Sequence, residues 1–71
     1  MTTITTPDDL IRPTVELSGE DGNAFSIIGR CAKALRRAGN PPATVDSFRE
    51  QAMSGDYDHV LETAMAFCEV E

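Results

Sequence analysis

The stretch that decides the fold is Asn23-Ala24-Phe25-Ser26-Ile27-Ile28-Gly29-Arg30-Cys31-Ala32-Lys33-Ala34-Leu35-Arg36-Arg37-Ala38-Gly39. Ala24, Ile27, Ile28, Cys31, Leu35 and Ala38 recur at helical spacing on one side, and Phe25 and Ala32 widen that stripe. Arg30, Lys33 and Arg37 fall on the opposite side, with Arg36 at the border. Asn23 is suited to cap the first amides, and Gly39 to follow the last turn. The basic last turn complements the helix dipole. The spacing therefore predicts an amphipathic helix over 23–38.

Two further helices follow. After Asn40-Pro41-Pro42-Ala43, Thr44 is the expected cap of a helix running through Met53, with Val45, Phe48 and Ala52 turned inward. Ser54-Gly55 stops it. Asp56 caps a third helix whose stripe is Val60, Leu61, Ala64, Met65 and Cys68, with Phe67 at its edge. The segment 54–57 either separates two helices or kinks one. Glu69-Val70-Glu71 alternates, as a frayed end or a short strand does.

Upstream, Thr14-Val15-Glu16-Leu17 alternates like a strand, and Ser18-Gly19-Glu20-Asp21-Gly22 breaks it. A lone strand leaves main-chain donors and acceptors unpaired. Three partners are open to it: the segment 2–6, the end at 69–71, or the same strand of a second copy in an isologous homodimer. Residues 1–13, rich in threonine and interrupted by Pro7 and Pro13, read as a disordered tail. The expected architecture is mainly α (α+β): a short strand, then three amphipathic helices in a single small domain over 14–71.

Composition narrows the function. The chain has 71 residues, 41% of them hydrophobic. A chain of that size buries only about 60% of its unfolded surface, too little for a barrel or a doubly wound nucleotide fold. Six basic residues against twelve acidic ones leave a net charge of −6, which repels nucleic acid and anionic membranes unless the cations cluster. No apolar run approaches a membrane span, and the first residues lack a signal-peptide layout, so the cytoplasm is the expected compartment. Cys31 and Cys68 form no CxxC pair and suit buried reduced thiols, although a bridge between them remains open.

Three polar constellations remain. The loop 18–23 runs from a strand into a helix as a phosphate cradle does, but it lacks GxxxxGK[ST], and Glu20 and Asp21 would repel a phosphate. Asp56-Tyr57-Asp58-His59 holds the only His and the only Tyr. Metal binding or proton transfer there competes with capping, and consecutive helical side chains do not converge on one point. The row Arg30, Lys33, Arg36 and Arg37 can contact phosphates, pair with acidic neighbours or meet an acidic partner.

The runs Gly19–Phe25 (GEDGNAF), Ala34–Gly39 (ALRRAG) and Ala52–Leu61 (AMSGDYDHVL) resemble small uncharacterised proteins of bacteriophages, plasmids and bacterial mobile elements. The resemblance covers roughly Pro13 to the C-terminus, and the threonine tail departs from it. It implies a mobile-element setting and supplies neither an activity nor a catalytic residue. The expected function is a non-enzymatic, acidic protein-interaction module without cofactor or metal. Its candidate contact patch is Glu20, Asp21, Asp56, Tyr57, Asp58 and His59. The alternative is a nucleic-acid accessory protein using Arg30, Lys33, Arg36 and Arg37.

Overall fold

The computed structural model describes residues 4–16 and 23–71. Strand β1 (Thr14–Val15) is followed by helices α1 (Ala24–Arg37), α2 (Pro42–Ala52) and α3 (Tyr57–Phe67), and strand β2 (Glu69–Val70) closes the order. The protein is mainly helical with a small two-stranded sheet, as the periodicity predicts.

Helix α1 begins where Asn23 Oδ1 accepts the Phe25 amide at 2.8 Å. It ends in a Schellman turn. Gly39 takes φ +104°, a region costly for side-chain-bearing residues. Gly39 N–H donates to Arg36 O, and Asn40 N–H to Leu35 O. Ile27, Ile28, Cys31, Ala32 and Leu35 are buried. Phe25 is not part of the stripe: it is 75% exposed.

Helix α2 starts two residues before the expected cap. Pro41 holds the N-cap position without a side-chain bond, and Pro42 is the first helical residue. Proline suits that position because its fixed φ is already helical and its missing N–H would have had no partner. Thr44 therefore sits inside the first turn, buried, and its amide donates to Pro41 O at 3.0 Å. Val45, Phe48 and Ala52 face the core as expected.

Helix α3 is separate from α2 and is capped by Asp56, whose Oδ1 accepts the His59 amide at 3.0 Å. Its buried face is His59, Val60, Thr63, Ala64 and Phe67, rotated from the expected stripe. Met65 lies outside, 53% exposed, while Phe67 is fully buried. Phe67 meets Phe48 edge-on, with ring centroids 5.3 Å apart. Thr63 can face the core because its hydroxyl donates to His59 O at 2.7 Å.

Strand β1 pairs in parallel with β2, with Thr14 opposite Glu69 and Val15 opposite Val70. Of the three partners open on the sequence, the 69–71 end is the one found here. A parallel pair needs a long crossover, and the three helices supply it. Leu17 lies outside the described residues.

Residues 4–13 make contacts with the helices. Ile4 and Leu10 pack against the core. Asn40, itself buried, accepts the Ile11 amide and donates to Ile11 O and Leu35 O, at 3.0, 2.8 and 3.0 Å. Gln51 exchanges two 2.7 Å bonds with the Thr5 main chain. Arg12 donates to Met65 O and Cys68 O, main-chain acceptors around the end of α3. These contacts are aperiodic and made mostly to main chain, so no apolar pattern announces them.

Candidate functional site

Four of the six residues of the expected acidic patch, Asp56, Tyr57, Asp58 and His59, are among the described residues. Glu20 and Asp21 lie outside them. At the entrance of α3, Asp56 spends one carboxylate oxygen on the His59 amide, and Tyr57 and Asp58 point to solvent. His59 is only 8% exposed, so it offers little to a partner.

The neighbourhood of His59 is a folding device. Its Nε2 lies 3.2 Å from Ser54 Oγ, and the Ser54 hydroxyl donates to Gln51 O at 2.7 Å. The Ser54 hydroxyl thus stands between the His59 ring and the last turn of α2. The ring also lies against Gly55, where an added Cβ would come within 2.8 Å of His59 Cβ. Together these contacts join the end of α2 to the start of α3. Among the described residues, no three His, Cys, Asp or Glu side chains are arranged to hold a metal ion.

The two thiols are likewise packed away. Cys31 and Cys68 are free and fully buried. The Cys68 thiol hydrogen-bonds to Cys31, which lowers the pKa of Cys31 and, with burial, pushes that of Cys68 well above the usual thiol range.

The basic row has a different setting. Arg30, Lys33 and Arg37 line an open groove of about 750 Å³ between α1 and β1, with residues 13–16 along its other side. Ser26, Gly29, Ala34 and Ala38 are the small residues that leave this space. A Cβ placed on Gly29 would meet nothing within 4 Å. Arg36 is not part of this groove; it borders a smaller hollow with Asn40, Pro42, Val45 and Asp46. Arg30 and Lys33 together with Arg37 are thus brought together as the spacing predicts, while the fourth member of the row is set aside.

Sequence reasoning misses two contributors, Thr14 and Gly29. Thr14 is invisible because only the pairing of β1 with β2 reveals which strand edge stays open. Gly29 did leave a signal: an interior helical glycine costs about 1 kcal/mol relative to alanine, and no turn requires one there.

Set against known proteins, the chain matches no family model, no curated sequence and no solved structure.

Proposed function

We propose that this chain is a non-enzymatic interaction module that binds a protein partner through the groove between α1 and β1. One observation carries the reading: among the described residues, three of the chain's six cations line that groove beside a single acid, Glu16, in a molecule of net charge −6. Such a local reversal of sign attracts an acidic surface and disfavours the many basic ones. We prefer the basic groove to the acidic patch because His59 is buried and Asp56 is engaged as a cap. The string resemblance to mobile-element proteins makes a host protein in the cytoplasm the natural partner. No helix among the described residues is long and apolar enough to cross a membrane.

Nucleic-acid binding through Arg30, Lys33 and Arg37, with Arg36 nearby, is the second reading, favoured by the same cluster. Two features weigh against it. Among the described residues, no aromatic side chain lines the groove for bases to stack on. The overall negative charge opposes a phosphate backbone at longer range.

Affinity capture from a host lysate, divided into nuclease-treated and untreated halves, separates the two. The wild-type chain is run beside the Lys33→Glu/Arg37→Glu variant. A stoichiometric protein retained after nuclease, and lost with the variant, is the expected result. Material that disappears with nuclease would transfer the groove to nucleic acid. Capture indifferent to the variant would remove the groove from the function.

A further inference from the structure

We infer that the occupant of the groove is an extended acidic segment of the partner, added as a third strand on the open edge of β1. This deepens the protein-binding reading above and rests on it.

The first argument is main-chain bookkeeping. Pro13 O accepts the Glu69 amide and Val15 O the Glu71 amide, both at 2.8 Å. Successive residues of a strand turn their N–H and C=O groups to opposite edges. Thr14 therefore aims its main-chain donor and acceptor away from β2, along the side that the groove borders. Among the described residues neither group has a partner. An open edge of this kind is a template for another strand. Phosphates accept hydrogen bonds and cannot donate to the Thr14 carbonyl, whereas a peptide strand can do both.

The second argument is an internal precedent. The other edge of β1 is already filled by Glu69-Val70-Glu71, an alternating acidic segment. Arg12 meets Glu69 there at 3.4 Å. On the open side the cations are those of α1, Arg30, Lys33 and Arg37, which line the groove. Arg30 to Arg37 spans about 10 Å of helix axis. Alternate side chains of a strand, ~6.7 Å apart, place two carboxylates along that length.

The third argument is Gly29. It forgoes helix stability without making room for any described residue, since an added Cβ there meets none of them within 4 Å. Glycine is the residue that lets another backbone come close to a helix. A second copy is a poorer occupant. Its β1 region would bring one acid to the groove, Glu16, together with a second row of cations.

The test uses the whole ¹⁵N-labelled chain and a blocked pentapeptide of alternating glutamate and valine. Titration runs to about 1 mM, where a complex worth ~4 kcal/mol is half formed. Saturable shifts at the amides of Thr14, Gly29 and Lys33 are expected, with slowed exchange at Thr14. A lysine–valine pentapeptide, and a glutamate–valine one N-methylated at alternate residues, should each bind at least about tenfold more weakly. Gly29→Phe should abolish the shifts by filling the groove. Lys33→Glu/Arg37→Glu should do so without touching the core, which keeps the test usable if the phenylalanine variant misfolds. No saturable shift at the highest concentration, or equal binding of the lysine peptide, overturns the inference. Thr14 shifts that follow protein concentration without peptide overturn it in favour of a second copy. Lysate capture that depends on the groove, with no pentapeptide binding, would leave the interaction module standing and remove only the acidic strand.

Discussion

The entrance of α3 and the basic face of α1 are the two densest polar regions of the chain, and they are used in opposite ways. At the α3 entrance, each polar group nearest the core has a partner inside the molecule. Asp56 holds the His59 amide, Ser54 stands between His59 and Gln51, and the ring closes over Gly55. On α1, Lys33 and Arg37 border a groove floored by small residues and flanked, among the described residues, by an open strand edge. The difference teaches that polar density alone does not mark a contact surface. Groups whose hydrogen bonds close internally build the fold. Groups left beside unfilled space and an unpaired main chain are the ones a partner can use.

The contrast can be broken by mutation, because the first region should answer in stability and the second in binding. Gly55→Ala carries the largest expected cost. Its new methyl must displace the buried His59 ring, which is worth about 1–3 kcal/mol as an overpacking change. Asp56→Ala should follow with about 1 kcal/mol for the lost cap. Urea unfolding measures both, and neither substitution should alter capture of the partner by the folded protein. Unchanged midpoints for the pair would mean that the α3 entrance is not structural.

Gly29→Ala should do the reverse. It removes an interior helical glycine where a Cβ meets nothing, so thermal unfolding should show a gain of about 0.5–1 kcal/mol. A loss instead would mean that α1 needs this glycine for its own packing, and the third argument for an approaching backbone would fail. The smallest stability effect belongs to Lys33→Glu/Arg37→Glu, within about 0.5 kcal/mol because both side chains are exposed. Its consequence should appear in the binding measurements. A large destabilisation would place these cations in the fold and erase the contrast with α3.

How far the sequence could be read depends on what kind of contact it was asked about. The α1 stripe was legible because burying one face of a helix forces a 3.6-residue recurrence, and the Asn23 and Asp56 caps because a short oxygen-bearing side chain is needed where amides lack partners. Phe25 was misassigned because it lies at the margin of that stripe, where facing the core or the solvent depends on what packs there. Met65 and Phe67 exchanged roles for the same reason: α3 has apolar residues on more than one face, and Phe48 on α2 selected the one that docks. At the start of α2, the threonine signal lost to two adjacent prolines, whose ring geometry acts before any cap.

The candidate site divides along the same line. The cationic row of Arg30, Lys33 and Arg37 was legible as one face of a helix. The inward turn of His59 was not, since adjacency in sequence does not set which way a side chain faces.

By itself, the sequence determined the helical class, the three amphipathic segments, two of their caps and the one-sided basic row. All of these follow from hydrogen bonding and periodicity within a few residues. Tertiary structure decided the rest. It paired β1 with a segment more than fifty residues away, laid residues 4–13 over the helices through Asn40, Gln51 and Arg12, and set the basic row beside an open strand edge. Those outcomes depend on main-chain groups, which every residue carries alike, and on which surfaces meet once the chain has closed on itself.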